Sequence, residues 1–398
     1  MNLNELIEKY GSPNALIDNH CNLNNQGIAI WGESEKIIFN SSGVKLNDKN
    51  CNGDPLTILD DTIKKWKDPK HEITAVGFVS YDIKNFLYPN IKFKNNLEEP
   101  YYWFIKPQKF FYYNLDSYSD VEIKKCLYLK KDILDKEAYK EKINLIKQQL
   151  RYGNTYQVNY TMEKVYKIDI NAFDLYLMLR KSAKPSYGYF LNTFDKQILS
   201  LSPEQFFSIE NNVIKSYPMK GTHKRGNHAE EDLIFKNKLY NSKKDRAEHL
   251  MIVDLIRNDL GKIAQYGSID VKNLFNVNSY KTVHQMVSEV SGSLNKNLQF
   301  STIIKSLFPG GSITGAPKES TMKIIDNLEN YSRGVYTGGI GYIKYNGDMN
   351  FNIPIRTLTI NEDRASYPVG GGIVWDSDYK NEWAEAQLKS KILEKCTI

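Results

Sequence analysis

Short runs of β-branched and aromatic residues, cut by Gly, Asn and Asp, constrain the fold of this chain more than any other feature. Gly27-Ile-Ala-Ile-Trp-Gly32, Ile73-Thr-Ala-Val-Gly-Phe-Val-Ser-Tyr-Asp82 and Tyr101-Tyr-Trp-Phe-Ile105 are of this kind. Such residues pack well on a pleated surface, and those between them favour turns. Residues 1 to about 130 therefore read as strands and turns. Further strands are expected at 156–168, 186–200, 204–219, 335–345, 350–360 and 368–376. Helices are fewer. Asp135 is placed as an N-cap before Tyr139, Ile143, Ile146 and Leu150, with Gly153 closing that helix. Others are expected at 229–263, 317–329 and 379–395, with a loop between the first two. Many strands with few helices between them point to an α+β fold of largely antiparallel sheet flanked by helices.

A change from strands to helix falls near 120–135, among many lysines and without a Pro/Gly/Ser linker. It reads as a seam between 1–130 and 131–398 within one compact body. The net charge of +6 is spread along the chain, which favours anionic small molecules without demanding nucleic acid. No aromatic-plus-basic pattern, zinc-finger spacing or basic heptad helix occurs, so no nucleic acid is expected. No apolar run approaches membrane-spanning length, and the start, Met1-Asn-Leu-Asn-Glu-Leu-Ile-Glu-Lys-Tyr, is acidic where a signal peptide is basic. Cys21, Cys51, Cys126 and Cys396 are far apart, with no CxxC pair. Their spacing argues against a metal cluster or disulfide framework and for a reducing, cytoplasmic location.

The chemistry concentrates in a few places. Lys220 lies between Pro218 and Gly221, in a stretch too broken for a helix. It is a surface charge on a turn or a placed amine. Ser202-Pro-Glu204 lies upstream with an alternating strand between, so a hairpin could bring Glu204 and Lys220 face to face as acid and nucleophile. Asp245 with Glu248, and Glu382 with Glu385, are three apart on expected helices and so share a face. They are solvated helix faces, or two acidic faces that meet around Mg²⁺. The run Phe308-Pro-Gly-Gly-Ser-Ile-Thr-Gly-Ala-Pro-Lys318 ends at a helix start and offers amides to an anion, without being a P-loop. Gly370-Gly-Gly372 fits close approach of backbone to a ligand, or a bulge. Arg356, in a β-branched run, suits a carboxylate partner or an internal salt bridge. His284 is an acid, a donor to substrate, or a core histidine with its needs met. No Gly-x-Ser-x-Gly elbow supports a serine nucleophile.

Together these segments resemble the chorismate-utilising enzyme family, which includes anthranilate, aminodeoxychorismate, isochorismate and salicylate synthases. The matching blocks are Tyr156-Gln-Val-Asn159, Ser202-Pro-Glu204, Pro218-Met-Lys-Gly-Thr222 and Arg246-Ala-Glu-His-Leu-Met-Ile-Val-Asp254. Arg257-Asn-Asp-Leu-Gly261, Phe308 through Lys318, Ile355-Arg-Thr-Leu358 and Gly370-Gly-Gly-Ile-Val374 complete them. The resemblance is strong over about 135–395 and weaker before, where Gly77-Phe-Val-Ser-Tyr-Asp82 is its clearest echo. It implies a large two-sheet antiparallel β-sandwich flanked by helices, with a deep active-site cleft. Gln157 stands where the water-adding members carry lysine, and Lys220 stands where anthranilate synthases carry alanine. The resemblance thus points to the aminodeoxychorismate branch, with an anthranilate synthase component I, or a non-catalytic binding subunit, as the alternatives.

On this resemblance Lys220 is the nucleophile toward chorismate and Glu204 the acid. The lysine must then be neutral near physiological pH, through desolvation or a nearby cation. Glu248 and Glu385 are the implied direct Mg²⁺ ligands, with Asp245 and Glu382 direct or through water. Arg356 and the amides around Gly371 and Gly372 would hold a carboxylate. His284, Ser312, Gln157, Thr222 and Tyr342 would line the substrate. The family ends with the last helix here, so ammonia is expected from a separate glutamine amidotransferase subunit. Asn14-Ala-Leu-Ile-Asp18 lacks the family's tryptophan-binding leucine-serine signature.

Overall fold

The computed structural model describes residues 2–20, 25–94, 99–116, 121–133, 135–193, 195–280, 283–296 and 298–398. Cys21, Lys281 and Thr282 lie outside them. Every pairing between named strands is antiparallel, and the pairings form one continuous path. It starts at the edge strand Leu127–Lys131 and passes through Gln157–Ile168, Arg364–Ile373, Thr357–Asn361, Gln197–Ser202, Tyr187–Asn192 and Ala15–Asn19. The long strand Gln26–Asn40 then carries it over to Tyr102–Asn114, Ile73–Val79, Gly339–Lys344 and Met349–Asn352. Gln205–Glu210, Val213–Ser216, Val283–Ser293 and Asp270–Ser279 finish it.

The path folds over on itself because its middle strands are apolar on both faces. Ile17, Ile30, Tyr189 and Ile198 from one half, and Val76, Phe78, Trp103 and Ile340 from the other, share one buried cluster made almost wholly of strand residues. That cluster is the filling of a sandwich. On the outer face of the first half, Leu16, Tyr160, Leu199 and Tyr367 pack against Tyr139, Tyr176, Ile325 and Ala386 of four helices. On the outer face of the second half, Phe104, Phe207 and Phe351 pack against Leu59, Val253 and Ile304 of three more. Each large aliphatic or aromatic side chain so buried contributes about 1.5–3 kcal/mol. The expected α+β sandwich is what the chain forms.

Several elements differ from expectation for identifiable reasons. The helix after Asp135 runs Lys136–Arg151, and the Asp135 side chain accepts from the amides of Glu137 and Ala138 as its spacing requires. The stretch 229–263 is two helices, Ala229–Tyr240 and Lys243–Gly261, because the Ser242 hydroxyl caps a new start at the Asp245 amide. The expected loop beyond them holds the hairpin Asp270–Ser279 and Val283–Ser293 and the helix Phe300–Leu307. Asp270–Ser279 is mostly exposed and polar, so it lacks the apolar alternation that marks a strand. Helices Pro55–Trp66 and Ala172–Ala183 also stand where strands or nothing were expected. Among the described residues no helix is long and apolar enough to cross a membrane.

Candidate active site

Glu204 and Lys220 meet because a hairpin brings them together. Gln205–Glu210 and Val213–Ser216 pair tightly around the Asn211–Asn212 turn, and the two residues lie just beyond its open ends. Glu204 is fixed from behind. Its amide donates to the Ser202 hydroxyl at 3.1 Å, and its carbonyl accepts from the Ile353 amide at 3.1 Å. Its carboxylate accepts from Ser312 Oγ at 3.2 Å. Lys220 belongs to the strand Met219–Lys224, which shifts register against Val283–Ser293 between Lys220 and Thr222. Gly221 carries that irregularity at φ 74°, a conformation that disfavours any side chain. A Cβ there would also lie 3.0 Å from Cβ of Asp245.

Both groups are half-buried: they keep accessible area, yet protein surrounds their charges. Burial pushes the Lys220 amine below its ordinary range, and Lys389 adds to this, while Glu248, Glu204 and Glu385 oppose it. Burial pushes the Glu204 carboxyl up, against the pull of Lys220, Ser312 and Lys389. The two pKa values thus move toward one another, so the pair can hold a neutral amine beside a protonated acid.

Around this pair the backbone is stripped of side chains. A Cβ on Gly372 would sit 3.0 Å from Lys220 Nζ and 3.2 Å from Cδ of Gln157. A Cβ on Gly371 would sit 3.5 Å from Lys389 Nζ and 3.8 Å from carboxylate oxygens of both Glu382 and Glu385. The triple glycine therefore serves approach on both faces. Gln157 is fully buried beside it, and neither amide atom has a hydrogen-bond partner among the described residues. Such a group is costly unless something else engages it. His249, on the helix behind Lys220, gives Nε2 to Ser288 at 2.7 Å, and burial with the nearby Lys220 charge lowers it to about 4.

The acidic pairs face one another across the cleft. Asp245 and Glu248 lie on Lys243–Gly261, and Glu382 and Glu385 lie on Tyr379–Ser390. Lys244 stands 3.8 Å from Glu248 and also lowers Glu382 and Glu385. Burial raises Glu248 and Glu382, each with carboxylate neighbours adding to the rise. Burial also raises Glu385, but Lys389 at 2.8 Å together with Lys220 and Lys244 outweighs it, and the net direction is down. Oxygen donors crowded enough to disfavour their own charges suit a hard divalent cation such as Mg²⁺. Among the described residues no three of them converge tightly enough to hold a metal as they stand. Lys244 and Lys389 bring positive charge to the same carboxylates. The sequence reading missed both lysines, although Lys389 lies one helical turn after Glu385.

The remaining expected residues divide. Ser312, Gln157, Gly371 and Gly372 join the site, and Thr222 is exposed two residues beyond Lys220. Arg356 is not in a strand: it is exposed at a bend with φ 52°, between Met349–Asn352 and Thr357–Asn361. No salt bridge or hydrogen bond from its guanidinium is found among the described residues, so it is available to an anion. His284 stands apart, held by Ser279 at 3.0 Å and by Asp232 at 2.9 Å. Tyr342 also stands apart, in the core between the sheets. Asp232 reaches His284 from a helix folded over the strand, a contact no local spacing could show. Beneath the site, buried Arg333 ties Glu329 to the carbonyls of Ile313 and Asn159, bracing the loop that carries Ser312.

Comparison with known proteins places this arrangement. Residues 13–395 match the family model described as chorismate binding enzyme. The chain belongs to that family. An aminodeoxychorismate synthase of Arabidopsis thaliana is 42% identical over 272 residues, 66% of this chain and 30% of its own length. The chain thus spans about a third of that relative. An anthranilate synthase component 1 of Saccharolobus solfataricus is 34% identical over 379 residues, 90% of this chain and 88% of its own. Among solved structures of the family, an anthranilate synthase component I from Streptococcus pneumoniae superposes with a TM-score of 0.82 at 26% identity. That match covers 92% of this chain and 91% of the other.

Proposed function

We propose that this chain aminates chorismate, and that the amine enters at C4 by way of a covalent bond to Lys220. The observation that supports this most is the pairing of a lysine pushed toward neutrality with a carboxyl group pushed toward its protonated form. In this reading the Lys220 lone pair attacks C2 of chorismate and both ring double bonds shift, toward C6 and C4. The C4–O bond breaks as Glu204 gives its proton to the hydroxyl, which leaves as water. Ammonia then attacks C4, both double bonds shift back and the C2–N bond breaks. Lys220 is freed and 4-amino-4-deoxychorismate results. Two moderate displacements replace one hard one.

Ser312 aims Glu204 through its hydrogen bond. Arg356 and the amides around Gly371 and Gly372 hold a substrate carboxylate. Gln157, with no basic group, gives no means of activating water at C2. Glu248 and Glu385, with Asp245 and Glu382, would hold Mg²⁺, which when bound supplies positive charge for a second carboxylate. Ammonia is delivered by a separate glutamine amidotransferase subunit.

A second reading, anthranilate synthase component I, has the better support from the comparisons, because its relatives align from end to end. Lys220 is what favours the first. Mixing the protein with chorismate and Mg²⁺ but no ammonia, then quenching in acid, tests that preference. Intact mass should rise by one chorismate less one water, with the label on Lys220, and EDTA should abolish the rise. No adduct, together with turnover surviving in Lys220→Ala, would leave direct attack by ammonia as the mechanism.

A further inference from the structure

Cys126 and Cys396 are separated by most of the sequence, yet they touch in the fold. Cys126 precedes the edge strand Leu127–Lys131, and Cys396 ends the 3-10 helix Lys391–Cys396. The last residues lie along that edge. Leu127 and Thr397 form a parallel bridge, the Cys126 amide donates to the Cys396 carbonyl at 2.8 Å, and the Ile398 amide donates to the Leu127 carbonyl at 2.9 Å. Residues side by side in a parallel pair are about 4.8 Å apart and point to the same face. A disulfide needs Cα atoms about 4.4–6.8 Å apart with converging Cβ atoms. Both side chains enter the same apolar core, at 2% and 0% exposure. Both thiols are free, and their meeting was not visible in their sequence spacing.

We propose that Cys126 and Cys396 are an oxidative modification site, forming a reversible disulfide that staples the C-terminal segment to the edge strand. The oxidant is a low-molecular-weight disulfide. One cysteine thiolate attacks it and releases one small thiol; the second cysteine attacks the mixed disulfide and releases the other. The protein loses two S–H bonds and gains one S–S bond, and the oxidant does the reverse. Lys125 and Lys395, each next in sequence to one of the cysteines, favour the thiolate on Cys396. Beside the pair, Ile398 is exposed. The closed loop spans most of the chain, the case in which a cross-link restricts the unfolded state most. The stapled segment leads directly out of the helix bearing Glu382, Glu385 and Lys389. None of this depends on the reaction assigned to the cleft.

The test uses the full chain with Cys21→Ser and Cys51→Ser, so that only this pair remains, incubated with oxidised glutathione. The monomer should become lighter by two hydrogen atoms and yield one peptide pair linking Cys126 to Cys396. Its thermal midpoint should rise by about 3 °C or more, and dithiothreitol should reverse every change. The linked peptide should also appear in oxidised wild-type protein, which covers the case in which the double variant does not fold. Two free thiols persisting at these positions, glutathione adducts without the link, or cross-linked dimers would each overturn the proposal.

Discussion

A hydroxyl 3.2 Å from a carboxylate sets the clearest residue-level expectation. Ser312 lowers Glu204, opposing the burial that raises it. In the proposed chemistry activity needs Glu204 protonated and Lys220 neutral, so the rate follows a bell-shaped pH profile. The acid limb belongs to the group of lower pKa, Glu204, and the alkaline limb to Lys220. Removing the hydroxyl in Ser312→Ala raises Glu204 further and should move the acid limb to higher pH, leaving the alkaline limb in place. Glu204→Gln should cost about 10²–10⁴ in kcat. A pH–rate profile of Ser312→Ala that superposes on wild type would separate Ser312 from the acid. At this scale the sequence was informative where partners lie near in the chain. Glu204 and Lys220 flank one hairpin, and that spacing is readable. The partners of His284 were not readable, because Asp232 reaches it from a separate helix.

Among elements, the strand Arg364–Ile373 is the most exacting. A Cβ on Gly370 would lie 2.0 Å from the Tyr160 backbone oxygen, whereas the nearest atoms to one on Gly372 are the side-chain ends of Lys220 and Gln157. Gly370→Ala should therefore destabilise the fold by roughly 1–3 kcal/mol or more, since the backbone of a paired strand has to move. Gly372→Ala should change stability by less than about 1 kcal/mol while lowering activity at least tenfold. Urea denaturation beside steady-state kinetics measures both. Equal loss of stability in the two variants would mean that the glycines serve only the sheet. The triple glycine could be read as either a bulge or a ligand approach, and the unbroken register with Gln157–Ile168 shows no bulge there. Local signals did well where capping chemistry is strong, as at Asp135. They failed for Asp270–Ser279, a mostly exposed polar hairpin strand stabilised by its partner and not by its own pattern.

For the molecule as a whole, the sandwich was legible in outline because its strands are apolar on both faces in the middle and on one face at the flanks. What the sequence could not give is the way the path returns on itself. That return brings the helix Lys243–Gly261 opposite Tyr379–Ser390, with the cleft, its two lysines and its four carboxylates between them. The central claim concerns what leaves that cleft, so it is tested most directly by product analysis. The full chain is incubated with chorismate, ammonium and Mg²⁺, with and without an added aminodeoxychorismate lyase. Chorismate should disappear in both samples, and p-aminobenzoate should appear only when the lyase is present. Fluorescent anthranilate formed without the lyase would contradict the central claim and establish the second reading.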